Sequence, residues 1–96
     1  MVYVDEANLP FGRMKMSHML SDDTHELLAM ADRIGVSRRW LQKAGTPAEH
    51  MDICAEKRRL AVALGAKPVT TKYLAHLIRM RRVLAGRAAD DFRLET

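Results

Sequence analysis

The sequence predicts a small α/β domain in which a mainly parallel sheet of about four short strands is packed with three helices. Two observations favour this class. The order strand, helix, glycine, strand occurs twice, around residues 23–35 and around residues 52–65. Residues 14–20 alternate between apolar and polar types, as a strand with one buried face does. Two consecutive strand–helix–strand units favour right-handed crossovers and a parallel sheet, because that connection packs the helix back onto the sheet.

The first two strands are predicted near the N-terminus. Residues 1–4 are β-branched or aromatic apart from the initial Met, which is typical of a strand. Turn-forming residues then separate them from residues 14–20. Alternation along this second strand places His18 on the same face as Met16 and Leu20. We therefore expect His18 to share an apolar face.

Two helices carry recognisable end signals. Asp23 and Glu26 have the spacing of a capping box, and Gly35 supplies the left-handed residue that ends many helices. In the second helix Asp52 is expected to cap the first turn and Gly65 to end the last.

Two further strands and a third helix complete the prediction. Residues 36–42 alternate and predict a third strand, and a short fourth strand is expected around residues 68–69. Thr70 or Thr71 caps the third helix, which we expect to end at Gly86. An all-helical alternative, with the last two helices as a helix-turn-helix, stays open, although the alternating segments favour strands.

Length and composition indicate one globular domain. The 96 residues, 48% of them hydrophobic, predict a single domain at residues 1–87 followed by a polar tail at 88–96. One cysteine, Cys54, excludes an internal disulfide and a multi-cysteine zinc site. No apolar run approaches the length of a membrane span, and the N-terminus lacks a signal peptide pattern. We therefore expect a cytoplasmic protein with no membrane association.

Positive charge is concentrated near the C-terminus. The formal net charge is +4, and residues 70–87 contain no acid. The cations of that segment are Lys72, Arg79, Arg81, Arg82 and Arg87. Such a face attracts nucleic acid, nucleotides or an acidic protein. A solvated helix surface explains the same pattern equally well.

The predicted ligand site lies at one edge of the sheet. In a parallel sheet, ligands bind beyond the carboxyl ends of the strands, where loops lead into helices. That rule collects Asp5, Asp22, Gln42, His50 and Asp52, and the loop carrying Arg13 can join them. His18 and Arg39 lie within strands and reach this edge only if the cleft is deep.

Cations at the second helix favour an anionic ligand. Lys57 and Arg58 fall in its first turns, where the backbone N–H groups and the helix dipole already attract anions. Together with Asp5, Arg13, Arg39 and Gln42 they are the predicted phosphate-binding residues. The sequence contains no Walker-type or dinucleotide-type glycine pattern, no nucleophile elbow and no kinase motif set, which disfavours those enzyme classes.

The predicted catalytic residues are His18, His50 and Asp52. His50-x-Asp52 has the residue types of an acid/base pair or of half a metal site. The simpler alternative is that Asp52 only caps a helix while His50 faces solvent. His18 has the alternative of a packed, satisfied histidine. Since a two-residue spacing is unspecific, we assign no metal ligands and no cofactor from the sequence. Trp40 fits either a core position or a stacking platform for a base.

Three segments together resemble a family of short bacterial and phage proteins classed only as a domain of unknown function. They are YVDEANLPFGRMKMSHMLSD, ELLAMADRIGVSRRWLQ and HMDICAEKRRLAVALGAKPVT. That family typically has a YVDD strand, a GRM-x-M-CHM segment, an R-x-W-x-Q strand and an HYDI segment before a Lys-Arg helix. The resemblance covers roughly residues 2–71. It implies a shared fold and points to Tyr3, Asp5, Gly12, Arg13, His18, Trp40, Gln42, His50, Asp52, Lys57 and Arg58.

This chain departs from the family pattern at three positions. Glu6 stands where the family often has Asp, Ser17 replaces a usual Cys, and Met51 replaces a usual Tyr. Ser17 argues against a cysteine nucleophile at its position, and Met51 against an aromatic stack beside His50. The resemblance implies no activity.

Three functions are compatible with these observations, and they leave open whether the protein is an enzyme. The first is a small binding protein for a phosphate-bearing ligand, either a nucleotide or nucleic acid. The second is a phosphodiesterase or nuclease in which His18 and His50 act as acid and base, with Asp5 and Asp52 orienting them or holding a divalent metal. The third is a phage-type inhibitor or adaptor that binds a host protein through Arg79, Arg81 and Arg82. A homodimer is also compatible with the sequence.

Overall fold

The computed structural model describes residues 1–6, 9–11 and 14–94, with side chains at residues 1–6 and 14–86. These residues form five strands, three α-helices and one short 3-10 helix. The strands are β1 (Val2–Val4), β2 (Leu9–Phe11), β3 (Met14–Ser21), β4 (Met51–Cys54) and β5 (Lys67–Pro68). The helices are α1 (Thr24–Ile34), the 3-10 helix (Arg38–Trp40), α2 (Ala55–Ala63) and α3 (Thr71–Leu94). The α/β class and the three helices are as predicted.

The sheet is mixed, and the prediction of a mainly parallel sheet was wrong. β3 is its central strand, since β2 and β1 pair antiparallel with one edge and β4 pairs antiparallel with the other. Among the described pairs, only β1 and β5 are parallel neighbours. Two residues separate β2 from β3, whereas a parallel pairing needs a crossover of a dozen or more. β3 therefore runs opposite to the four other strands.

The predicted third strand is a 3-10 helix instead. The Ser37 side chain accepts a hydrogen bond from the N–H of Arg39 and so competes with an extended backbone. Arg38 makes two hydrogen bonds to Asp32 in α1, at 3.1 and 2.7 Å, which hold the turn against that helix. Only Gln42 pairs as a strand residue within this segment, in an isolated bridge with His50.

Helix ends were predicted well for α1, whereas for α2 the end near Gly65 was predicted well and the start was not. Asp23 caps α1 by accepting from the N–H of His25, and Gly35 ends it at φ 80°. Asp52, predicted as the cap of α2, lies in β4 instead, and α2 begins at Ala55 without a side-chain cap. The helix signal was misplaced because Met51 and Ile53 enter the core as alternate strand residues. α3 continues past Gly86, where the sequence predicted its end.

The core lies between the sheet and one layer formed by α1 and α2. Its sheet residues are Val2, Val4, Met19, Met51 and Ile53, and they pack with Leu27, Met30, Ala31, Ile34 and Ala61 from the helices. Strand alternation then places Tyr3, His18 and Asp52 on the opposite face. α3 approaches that face beside β1, where the ring centroids of Tyr73 and Tyr3 are 6.2 Å apart. Desolvation there raises the pKa of the Tyr3 hydroxyl.

Across the described part of the chain, no helix combines the length and the apolar character needed to cross a membrane.

The burial of the central strand gives a stability prediction. Replacing the fully buried Met19 by Ala should lower the free energy of unfolding by about 2–5 kcal/mol, because apolar contacts are lost and a cavity remains. The matched change Met80→Ala, at a side chain that is 44% exposed on α3, should alter it by no more than about 0.5 kcal/mol. Urea denaturation followed by circular dichroism measures both, and equal losses would contradict the assigned core.

Candidate metal centre

Three of the predicted site residues form a row across the sheet, on the face away from α1 and α2. Asp5 directly follows β1, and its N–H donates to the carbonyl of His18 in β3 at 3.1 Å. His18 is paired in register with Asp52 in β4. Neighbouring residues in register place their side chains on the same face, so pairing alone brings Asp5, His18 and Asp52 together.

Asp5 holds the His18 ring in one orientation. The Asp5 carboxylate is fully buried and accepts two hydrogen bonds from His18, at 2.7 Å from its backbone N–H and at 2.8 Å from Nδ1. In a neutral ring, the nitrogen that faces a carboxylate carries the proton. The lone pair of His18 is therefore at Nε2. Arg58 donates from Nε to the Asp5 carbonyl at 2.8 Å and so ties α2 to the same residue.

His50 is fixed in the corresponding tautomer by the backbone. Its Nδ1 lies 2.7 Å from the carbonyl oxygen of Ala48, which can only accept, so this nitrogen is the donor. The backbone of His50 is also paired with that of Gln42. The Gln42 N–H donates to the His50 carbonyl at 2.9 Å, and the His50 N–H donates to the Gln42 carbonyl at 3.2 Å. His50 consequently presents Nε2 as an acceptor, as His18 does.

Asp52 completes the site with one satisfied and one unsatisfied oxygen. Its Oδ2 accepts from the Gln42 side-chain amide at 2.8 Å. Its Oδ1 is buried and has no hydrogen-bond partner among the residues that the structure describes. This oxygen lies 3.8 Å from His18 Nε2 and 3.7 Å from His50 Nε2, too far for a hydrogen bond to either ring.

One ligand atom from each of His18, His50 and Asp52 lies within 4.8 Å of the other two, which is close enough for the three side chains to hold one metal ion. Bonds of about 2.1 Å to a tetrahedral Zn²⁺ place ligand atoms about 3.4 Å apart. The distances of 3.7 and 3.8 Å from Asp52 Oδ1 to the two Nε2 atoms need to close by a few tenths of an ångström, while the ligand atoms of the three residues all lie within 4.8 Å of one another. Two imidazoles and a carboxylate suit Zn²⁺ and other first-row divalent ions.

The hydrogen-bond partners of His18, His50 and Asp52 are of the kind that usually orient metal-binding side chains. Metal-bound histidines generally donate their other nitrogen to a carboxylate or a backbone carbonyl, which fixes the tautomer. Asp5 has this position behind His18, the Ala48 carbonyl has it behind His50, and Gln42 holds the second oxygen of Asp52. No sequence signal reveals the Ala48 carbonyl, because it is a backbone group placed by the loop.

The predicted phosphate-binding residues are only partly brought together. Arg39, Gln42 and Lys57 line a groove that Asp52 also borders, so they adjoin the His18–His50–Asp52 cluster. Arg58 is engaged with the Asp5 carbonyl. Arg13 lies outside the described residues.

The basic residues of α3 are not part of this cluster. Arg81 contacts Asp22 at 3.3 Å, while Arg79 and Arg82 are exposed on the helix surface. None of the three lines the groove or the His18–His50–Asp52 site.

The chain belongs to the family described as "Protein of unknown function (DUF4031)", whose model matches residues 2–81. No curated protein and no solved structure matches it.

The hydrogen bonds at Nδ1 predict an unusual tautomer for both histidines. Long-range ¹H–¹⁵N correlation spectra at a pH where the rings are neutral should assign His18 and His50 as Nδ1–H. His76, exposed on α3, is the internal reference. In an Asp5→Asn variant His18 should lose its fixed tautomer while His50 keeps its own. An Nε2–H tautomer for His18 in the unaltered protein would contradict the assigned orientation.

Proposed function

Because membership of this family implies no activity, we propose from the site geometry that the protein is a metal-dependent phosphoesterase. His18 Nε2, His50 Nε2 and Asp52 Oδ1 hold one divalent transition-metal ion. The observation that carries the proposal is the convergence of these three acceptor atoms within 4.8 Å, with Asp52 Oδ1 buried and lacking a hydrogen-bond partner in the described part of the chain.

Electrostatics supports a cation at this position. A buried carboxylate oxygen without a partner costs at least about 1–3 kcal/mol. Two nitrogen lone pairs facing it add repulsion, since both Nδ1 atoms already donate elsewhere. A divalent ion bound by all three atoms removes both costs.

The ligand number supports hydrolysis. Three protein ligands would leave a fourth position for a water molecule or a substrate oxygen, as in catalytic zinc sites. A metal ion held there would supply the chemistry of lowering the pKa of a bound water or polarising a phosphoryl oxygen. Lys57 and Arg39, which border the adjoining groove, supply positive charge for the phosphate.

The proposed roles of Asp5 and Gln42 follow from their hydrogen bonds to the metal-binding side chains. Asp5 keeps His18 in the tautomer that binds a metal, and Gln42 keeps Asp52 oriented by holding its Oδ2. These are positioning roles, because both groups act through another side chain. The basic surface at Arg79, Arg81 and Arg82 has no part in this proposal, and its role in binding a host protein stays a prediction.

A second candidate is binding of a phosphate-bearing ligand without turnover. The cations Arg39 and Lys57 in the groove favour it, since they serve a binding protein as well as an enzyme. The two candidates differ in hydrolysis and in their need for a metal.

Metal binding is tested first. Native mass spectrometry and calorimetry should find one Zn²⁺ or Mn²⁺ per chain. The single changes His18→Ala, His50→Ala and Asp52→Ala should each weaken metal binding by more than about 100-fold, because each removes a direct ligand. Loss of a residue that only hydrogen-bonds to a ligand typically costs about 10- to 100-fold. His76→Ala, at an exposed histidine of α3, is the matched control and should bind the metal normally. Unchanged affinity in all three ligand variants would refute the assigned centre.

Turnover is tested separately with bis(4-nitrophenyl) phosphate. Hydrolysis should stop on chelation with EDTA, return on addition of the metal, and be absent in folded His50→Ala. Circular dichroism verifies the fold of each variant. If the protein binds the metal but does not hydrolyse this ester, binding without turnover is the function that is supported. Hydrolysis that does not depend on the metal would contradict the proposed metal-dependent hydrolysis.

A further inference from the structure

A groove of about 700 Å³ lies beside the proposed metal centre. Its apolar lining includes Met14, Met16, Val36, Trp40, Leu41 and Ile53. Asp52 and Gln42 also line it, so the groove and the metal centre share a wall. Its volume falls within the range of small-molecule sites, which are mostly apolar with a few polar groups that fix the ligand.

Trp40 is the distinctive group in this groove. It is the single tryptophan of the chain, and 57% of its side-chain surface is exposed. The Arg39 guanidinium lies 4.8 Å from the centroid of the indole ring. An aromatic ring beside a cation in a groove wall is suited to stacking with a planar ring that carries negative charge nearby.

The turn that carries Trp40 is anchored. Arg38, two residues earlier, forms a two-bonded ion pair with Asp32 of α1. The Arg38 hydrogen bond lowers the pKa of the Asp32 carboxyl, so the pair stays charged at neutral pH. On the other side, Gln42 is bridged to His50. Trp40 is therefore presented by a segment tied at both ends, which reduces the ordering cost of ligand binding.

We propose that the groove binds the base of a mononucleotide by stacking on Trp40, with its phosphate directed to Lys57, Arg39 and the adjoining metal centre. This assignment deepens the proposed function and rests on it for the metal-bound phosphate. Two cations line the groove, and the one acidic residue among the described lining residues, Asp52, belongs to the metal centre. That charge balance favours an anionic ligand over a purely apolar one.

The test uses the fluorescence of Trp40, which reports the groove directly because no other tryptophan contributes. Adenosine 5′-monophosphate should quench it saturably, and ribose 5-phosphate at the same concentrations should not. Adenosine should bind more weakly than its monophosphate, because it cannot use the cations. Equal affinity of adenosine and its monophosphate, or binding of ribose 5-phosphate as tight as that of the nucleotide, would overturn the proposal.

Variants separate stacking from charge. Trp40→Ala, followed by calorimetry, should weaken nucleotide binding by about 5- to 150-fold, the range expected for loss of one base–aromatic stack. Trp40→Phe should recover part of that loss. Lys57→Gln should weaken the monophosphate but not adenosine, whereas Lys72→Gln, at an exposed position on α3, should change neither. Unchanged nucleotide affinity in Trp40→Ala would refute the stacking role.

Failure of this inference can be told apart from failure of the proposed function. The fluorescence titration is repeated with EDTA and in the His50→Ala variant, where stacking on Trp40 should persist although the metal-bound phosphate is lost. If the unaltered protein binds no metal in calorimetry but still shows base-dependent quenching, the groove is upheld and the metal centre is refuted. Metal-dependent hydrolysis of a simple phosphodiester without base-dependent quenching upholds the centre and refutes the groove.

Discussion

The pairing of β3 with β1 on one edge and with β4 on the other is the constraint on which the site depends. It sets Asp5, His18 and Asp52 side by side and, at the next position, buries Met19 opposite Val4 and Met51. A slip of one residue would turn His18 into the core and Met19 to the other face. The apolar core therefore specifies the register that assembles the polar row.

Asp5 links this register to the chemistry. Its carboxylate holds both the backbone and the ring of His18, and its carbonyl accepts from Arg58 of α2. Burying a carboxylate is costly unless it is hydrogen-bonded, and these bonds offset that cost. Asp5 thus contacts both β3 and α2 from the end of β1, and it also fixes the orientation of the His18 ring.

Local signals in the sequence were sufficient for some elements and not for the site. The alternation at residues 14–20 and the caps of α1 predicted β3 and the first helix, because those features depend on neighbouring residues. The alternation did not predict which face of β3 enters the main core, which takes Met19 and not the face of Met16 and His18. Sheet direction depends on which strands meet, and the short connection before β3 overruled the parallel arrangement. The sequence grouped His50 and Asp52 at one edge of a parallel sheet that does not form, and it placed His18 within a strand that reaches this edge only in a deep cleft. How His18 meets them could not be deduced, because it requires the partner and register of β4.

Gln42 makes the centre and the groove one unit. Its backbone is bridged to His50, its side chain holds Asp52 Oδ2, and it lies two residues beyond Trp40. Gly35, at φ 80°, begins this segment, and a side chain there would meet Lys57 Nζ at 3.2 Å. The left-handed backbone at Gly35 favours glycine there, whereas the Lys57 ammonium group lies at the end of a flexible side chain and can shift. Gln42 thus contacts two members of the His18–His50–Asp52 cluster directly and joins them to the segment that carries Trp40.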